Sequence, residues 1–321
     1  MTASHLRWAL VGTSGYAARA CLPAFAAVED ADLVAVLSSS AERAAAFAAG
    51  NGIAKPYADL TDLCADDEVD AMWIASPSHL HFEQAMEAIR SGRHVLLEKP
   101  LALESGQAWK LVEAADAAGV HLAVGYQARY VPAHLEMQRI IASGELGPIT
   151  TVRSLYGMRR TGPPASWRGD KEKARWGVLA DIGTHHIDLL RMLAGEITGA
   201  AGFTAHQRGY ATEDLAVAAL QFETGVLGTL TATGNNFTPA TVVEVVGFNG
   251  MVRATDTSPD GQGTAVLIRT DGTETDITGP TPRSFDAQLA TVNRAFRGAD
   301  VAYATGRDGA RNLEILEMIA Q

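Results

Sequence analysis

Between residue 6 and about residue 125 the chain alternates short β-prone apolar runs with Ala-rich helical stretches, and this rhythm leaves few architectures open. The runs are Trp8 to Val11, Leu33 to Leu37, Ala71 to Ala75, His94 to Leu97 and His121 to Val124. Between them the pattern predicts helices over Tyr16 to Ala27, Glu42 to Ala49, His81 to Ser91 and Glu104 to Ala118, the last with Gly119 at its C-cap. Strands that are apolar on both faces and separated by helices imply a parallel sheet covered on each side.

After Val124 the rhythm changes. A helix is expected from Pro132 to Ser143, a strand from Ile149 to Met158, then a polar loop through Asp170 and a helix carrying Asp181 and His185. Hairpin signals follow at Thr224-Gly225, Asn249-Gly250 and Asp271-Gly272, and helices close the chain over Arg283 to Phe296 and Asp308 to Gln321. The second half therefore reads as an α+β domain, a mostly antiparallel sheet with helices on one side. The expected division is residues 1–125 and 126–321, two halves packed with a cleft between them, the C-terminal helix being available to pack back on the first.

Bulk properties exclude several classes. With 321 residues and 47% hydrophobic content there is ample material for two cores, and a net charge of -11 disfavours a nucleic-acid or anionic-membrane partner. The start, Met1 to Arg7, has no signal-type apolar region, and no run approaches the length of a membrane span. Cys21 and Cys64 lack metal-ligand spacing and read as buried thiols, which fits a reducing cytoplasm. No metal is expected, because His185, His186 and Asp188 repeat no known ligand spacing.

Two stretches carry chemistry. The first is Gly12-Thr13-Ser14-Gly15, ahead of Tyr16, where glycine permits a tight bend after a strand and small residues let backbone approach a pyrophosphate at a helix N-terminus. It departs from the G-x-G-x-x-G/A pattern, with Gly12, Ser14 and Ala17 in the three places, so a purely structural turn stands as the alternative. At the end of the second strand Ser38-Ser39-Ser40 replaces the acid that would read a ribose 2'-hydroxyl, and Arg43 is near enough in sequence to pair with a 2'-phosphate. NADP is preferred on that ground and NAD remains possible; a solvated helix-surface charge is the competing view of Arg43. Ser76, Pro77 and His81 follow the next strand, where Ser78 could cap a helix. Val95-Leu96-Leu97 then runs into Glu98-Lys99-Pro100, placing Lys99 at the carboxyl edge of the sheet, with a surface ion pair as the bland alternative.

The second stretch is Gly177 to Asp188, in which Asp181 and His185 stand at i and i+4 on one helical face, a geometry suited to proton transfer. His186 would take over if the helix were rotated, and Asp188 could hold His185 from i+3.

The glycine turn, Glu98-Lys99-Pro100, Gly125-Tyr126-Gln127-Ala128-Arg129-Tyr130 and Asp181-x-Gly183-x-His185-x-x-Asp188 occur in this order, and together they resemble the Gfo/Idh/MocA oxidoreductases over essentially the whole chain. The resemblance implies an N-terminal doubly wound Rossmann domain and a C-terminal domain with a large open sheet that makes oligomer contacts, hence a homo-oligomer, dimer or tetramer. It also implies hydride exchange between a nicotinamide cofactor and a sugar, keto-sugar or cyclitol. Lys99, Asp181 and His185 would surround the reacting oxygen, His185 as preferred proton donor in reduction and Lys99 as oxyanion stabiliser or alternative acid. Ser38 to Arg43 and Trp167-Arg168 look like the matching parts of the family's NADPH-dependent reductases, which adds Trp167 and Arg168 to the cofactor candidates. Departures are Ala174-Arg175-Trp176-Gly177, where a glycine-rich run is usual, and Phe285, where some relatives have tyrosine. Tyr126, Arg129, Tyr156, Trp176 and Asn236 are the candidate substrate residues. Two rival functions share the fold: a cofactor-sensing regulator without turnover, and an NAD-dependent glycosidase.

Overall fold

The computed structural model describes residues 5–163, 166–257, 263–280 and 283–321. The N-terminal reading over residues 1–4, and residues 164 and 165 of the polar loop, lie outside them. Two compact units emerge, Met1–Gly125 with Phe285–Ala310, and Tyr126–Ser284 with Arg311–Gln321.

The first unit is a six-stranded, wholly parallel sheet. Its strands are β1 (Leu6–Val11), β2 (Ala31–Leu37), β3 (Lys55–Tyr57), β4 (Ala71–Ile74), β5 (His94–Leu97) and β6 (Leu122–Val124), in the order β3-β2-β1-β4-β5-β6. That is the doubly wound Rossmann order, and the strand order reverses between β1 and β4. The connecting helices are α1 (Leu22–Ala27), α2 (Ala41–Asn51), α3 (Leu60–Cys64), α4 (Ser78–Arg90) and α5 (Ser105–Ala118). A π-turn, Ala17–Cys21, lies within the helical run ahead of α1. Ser40 caps α2 by accepting from the Arg43 amide. Ser78 does not cap α4: Pro77 occupies that place, with no side-chain cap bond, and Ser78 is the first helical residue. The pair β3 and α3 has no counterpart in the sequence reading, because segments of 3 and 5 residues are too short to show a period.

The second unit contains α6 (Pro132–Ala142), β7 (Ile149–Arg159), α7 (Lys171–Ala174) and α8 (Thr184–Ala194), followed by the strands β8 (Ile197–Ala205), β9 (Leu215–Phe222), β10 (Leu227–Thr233), β11 (Asn235–Gly247), β12 (Gly250–Thr255), β13 (Thr264–Arg269) and β14 (Glu274–Asp276). The eight-stranded sheet runs β14-β13-β12-β11-β7-β10-β9-β8. Only β7 and β10 pair in parallel; the other ladders are antiparallel. All three hairpin signals fall at turns, between β9 and β10, β11 and β12, and β13 and β14.

Two helices close the chain, α9 (Ser284–Phe296) and α10 (Gly306–Ile319). The expected single boundary after residue 125 is corrected here, since Phe285–Ala310 belongs with the parallel sheet. The reason is packing on β1: Trp8 Nε1 donates to Asn293 Oδ1 at 2.9 Å, and the Trp8 ring stacks on Phe296 at 5.5 Å. Burying a tryptophan with its N–H satisfied is worth more than any local preference of the segment. No helix among the described residues is long and apolar enough to cross a membrane.

Candidate functional site

In the first unit, the carboxyl ends of β1 and β4 meet at the point where strand order reverses. Gly12 has φ +112°, and a Cβ on it would lie 2.9 Å from the Ala75 carbonyl oxygen, so only glycine permits the turn and the approach together. Thr13 and Ser38 join the ends of β1 and β2 by a hydroxyl–hydroxyl bond of 2.6 Å. Ser14 Oγ accepts from the Ala17 amide at 3.4 Å and so helps start the first helix, while Gly15 stays open to solvent. Ser39 and Arg43 are exposed, Arg43 in the first turn of α2. This close backbone approach, with hydroxyls and one exposed guanidinium beside it, fits a dinucleotide.

Glu98 is buried at the end of β5. Its Oε1 accepts from Tyr16 Oη at 2.8 Å and from Trp73 Nε1 at 3.1 Å. Burial pushes this carboxyl above the usual range, and those bonds together with the neighbouring Lys99 charge pull it back. Gly125 is required next to it, because a Cβ there would stand 2.7 Å from Glu98 Oε2. Phe285 packs edge-on against Tyr16 at 6.1 Å, which keeps the phenol aimed at Glu98. Lys99 is half-buried, and the Lys99–Pro100 peptide is cis.

His81 needs correcting as a direct cofactor contact. It is fully buried, with Nδ1 2.7 Å from the Pro100 carbonyl oxygen and Nε2 2.9 Å from that of Ser76. Both ring nitrogens are spent on backbone, so His81 braces the loops after β4 and β5 instead of facing a ligand. Ser76 Oγ in turn donates to Gln84 Oε1 at 2.5 Å, and Pro77 leads into α4.

In the second unit, Asp181 lies in a π-turn, Leu179–Gly183, that runs directly into α8 with His185 in its first turn. Single π-turns inside helices recur at functional sites because they displace one side chain from the regular face. The turn is held from a residue 34 to 36 positions away: Glu213 Oε1 accepts from the Gly177 amide at 2.6 Å and the Leu179 amide at 3.1 Å, and the Glu213 carbonyl accepts from Val178 at 3.0 Å. Burial raises the Glu213 carboxyl, and these amides oppose the rise. Asp181 Oδ2 accepts from Arg160 Nη2 at 2.6 Å. Neither Glu213 nor Arg160 carries a sequence signal, since each acts across a fold and not along a helix.

His185 is buried, and the Tyr126 ring meets it edge-on at 6.0 Å. His186 faces the sheet: Nδ1 is bonded to Ser154 Oγ, the Tyr156 ring lies at 4.8 Å, and burial drives its pKa down to about 3. It is a core histidine, which leaves His185 as the candidate. Asp188 does not hold His185. Its carboxylate takes both Nε and Nη2 of Arg129 at 2.6 Å and Asn312 Nδ2 at 3.0 Å. Arg129, read from the sequence as a substrate ligand, is instead the half-buried partner of the Asp188 carboxylate, whose bidentate geometry matches its planar fork. Tyr126 is corrected likewise: it is 1% exposed, with its hydroxyl 2.9 Å from Thr184 Oγ1, and it supports the start of α8.

Of the other substrate candidates, Tyr156 remains half-buried, with its phenol raised by burial and by the nearby Asp181 charge. Asn236 lies across Gly157, where a Cβ would leave 1.9 Å to its amide nitrogen. Trp176 is covered by the Arg175 guanidinium at 5.0 Å, and Arg168 stacks on Trp167 at 4.4 Å in the short 3-10 turn Ser166–Gly169. Trp167 and Arg168 belong to the second unit, not to the parallel-sheet unit.

Residues 6–126 match the family model described as the oxidoreductase family with an NAD-binding Rossmann fold, and residues 134–253 match the GFO/IDH/MocA C-terminal domain. The chain is 31% identical to 1,5-anhydro-D-fructose reductase of Ensifer adhaerens over 310 residues, covering 96% of this chain and 93% of that one. It is 39% identical over 148 residues to scyllo-inositol 2-dehydrogenase (NADP(+)) IolU of Bacillus subtilis, covering 46% and 43% of the two chains. The crystal structure of aldose-aldose oxidoreductase from Caulobacter crescentus, complexed with glycerol, superposes with a TM-score of 0.89 at 26% identity, covering 98% of this chain and 96% of that one. The chain thus belongs to the GFO/IDH/MocA oxidoreductase family and is an NAD(P)-dependent dehydrogenase or reductase.

Proposed function

We propose that this enzyme moves a hydride between NADP and a hydroxyl-bearing carbon of a sugar, keto-sugar or cyclitol. What carries the reading is the Asp181–His185 turn, a carboxylate and an imidazole one turn apart, held by the buried Glu213 carboxylate. The names of two relatives, an anhydrofructose reductase and an NADP(+)-linked inositol dehydrogenase, support the substrate class. The preference for NADP rests on Ser38, Ser39 and the exposed Arg43, with Gly12, Thr13, Ser14, Gly15 and the Ser76–Pro77 backbone forming the rest of the dinucleotide seat.

A bound nicotinamide supplies or accepts the hydride. His185 gives a proton to the oxygen of a carbonyl being reduced and takes it back in oxidation. Lys99 would act as a cation that stabilises the developing alkoxide. Asp181 accepts from a neighbouring substrate hydroxyl and fixes which carbon reacts. Tyr156, Trp176 and Asn236 supply the remaining contacts, and Trp167 and Arg168 contact the cofactor.

We also place the protein in the reducing cytoplasm, consistent with two free buried thiols, Cys21 and Cys64. The sheet of the second unit leaves Phe203, Val217 and Leu227 exposed along β8, β9 and β10, and a second copy of the chain is the proposed partner for that face.

The deciding experiment is a screen of keto-sugars, sugars and cyclitols with NADPH or NADP, followed at the nicotinamide absorbance. Turnover of at least one such substrate is expected. Absence of any turnover, or sugar release without net change in cofactor absorbance, would overturn the proposal in favour of a regulator or a glycosidase.

A further inference from the structure

Tyr126 and Arg129 belong to one short segment, and both reach the same helix. Tyr126 caps the 3-10 turn Gln127–Tyr130, and Arg129 lies within that turn. Residues three apart in a 3-10 turn lie one above the other, about 6 Å along its axis, and residues four apart in an α-helix share a face over about the same rise. Thr184 and Asp188 are such a pair on α8. The two spacings match, and bonds join them at both ends: the Tyr126 hydroxyl lies 2.9 Å from Thr184 Oγ1, while Arg129 Nε and Nη2 each donate to the Asp188 carboxylate at 2.6 Å. Thr184 and Asp188 are fully buried, so neither grip competes with water. His185 follows Thr184 directly. Its imidazole meets the Tyr126 ring edge-on, with centroids 6.0 Å apart and planes at 87°, and both side chains sit inside packed protein.

We propose that Tyr126, held by Thr184 and by the Arg129–Asp188 pair, is the positioning residue that aims the His185 imidazole at the reacting oxygen. This rests on the reading that His185 transfers the proton. A buried phenol needs a partner for its hydroxyl, and Thr184 supplies one from the residue next to His185. The helix therefore cannot turn about its axis without breaking a buried hydroxyl bond and a bidentate ion pair together. A proton donor works only within hydrogen-bond reach of its acceptor, and a misplacement of about 1 Å is worth roughly 10²-fold in rate. Tyr126 acts through His185, since its own hydroxyl and ring are both taken up within the fold. Spacing gives no hint of the pairing, because Tyr126 and Thr184 stand 58 residues apart.

The test is a double-mutant cycle on kcat and KM, with NADPH and 1,5-anhydro-D-fructose as the probe, in the wild type, Tyr126→Leu, Tyr126→Phe, His185→Ala and the combined Tyr126→Leu/His185→Ala. Tyr126→Leu is expected to lower kcat by roughly 10²-fold with KM and NADPH affinity little changed. Tyr126→Phe keeps the ring against the imidazole and should recover kcat to within about tenfold of the wild type. In the His185→Ala background Tyr126→Leu should cost nothing further, because two residues acting as one unit do not add. Additive losses in the combined variant, or wild-type kcat in Tyr126→Leu, would overturn the proposal. Thr184→Val severs the same hydroxyl bond from the helix side and takes the place of Tyr126→Leu in the cycle if that variant does not fold. If the wild type does not reduce the probe, or if His185→Ala keeps full kcat, the proton-transfer reading fails on its own. Crystal structures of Tyr126→Leu and Tyr126→Phe then decide the positioning role: an imidazole displaced in the first and unmoved in the second supports it, and one unmoved in both overturns it.

Discussion

The Gly177 amide donates to Glu213 Oε1 at 2.6 Å, and a Cβ on Gly177 would fall 1.9 Å from the Glu213 carbonyl oxygen. One residue thus supplies both the acceptor and the wall that shape the turn leading to Asp181. Glu213→Leu removes the acceptor for two buried amides and should cost about 2–4 kcal/mol, with a matching fall in kcat. Glu213→Gln keeps an acceptor oxygen and should recover most of both. Gly177→Ala should be at least as damaging as Glu213→Leu, since a carbonyl must move to admit the methyl group. Urea unfolding alongside steady-state kinetics checks all three; full stability and activity in Gly177→Ala would contradict the geometry.

Removing the proposed proton donor or the cation should affect turnover and spare cofactor affinity. For Lys99→Ala and His185→Ala we expect kcat to drop by roughly 10²- to 10⁴-fold, the usual contribution of a positioned acid or base. NADPH affinity, read by fluorescence titration, should change little. Near-wild-type turnover in both variants would remove the mechanism.

Arg43 is expected to discriminate between the two cofactors. Loss of a charge-assisted contact to a 2'-phosphate is worth about 1.5–3 kcal/mol, so Arg43→Ala should weaken NADPH binding by roughly 10- to 100-fold. NADH binding should be almost untouched. Equal losses for both would mean that the guanidinium does not read the phosphate.

Acid stability should follow the buried histidines, His81 at about 4 among them. Burial lowers His134 from 6.5 to about 4 and His186 to about 3, so the native protein holds both neutral while the unfolded chain protonates them below about 6.5. The unfolded state then binds more protons, and stability rises with pH across that window. The contribution is complete above about pH 6.5 and is lost progressively as pH falls toward 4. At pH 5 each histidine should cost about 2 kcal/mol relative to pH 7. Denaturant titrations at pH 7, 6 and 5 measure the slope, and His134→Gln, which keeps a polar partner for Thr257, should reduce it. A flat profile would show that the rings are not held neutral.

Much of the fold was legible because its signals are local. Apolar runs such as Ala71–Ile74 and His94–Leu97 betray strands covered on both faces, and Asn249-Gly250 or Asp271-Gly272 mark turns through their own backbone preferences. Gly12 announced its bend. The candidate site was legible only in its motif residues. The roles of Arg129 and Tyr126 came out differently because burial decides whether a polar group faces a ligand or a neighbour, and burial is not encoded in spacing.

By itself, the order of residues determined the parallel sheet, the hairpins and the segments able to carry chemistry, since each depends on periodicity or dihedral preference within a few residues. Tertiary structure alone decided that Phe285–Ala310 joins the first unit through Trp8 and Asn293, that Glu213 caps a turn far upstream, and that Arg160 sits beside Asp181. These are contacts between groups distant in the chain. Their strength comes from desolvation and close packing, which exist only after the chain has folded.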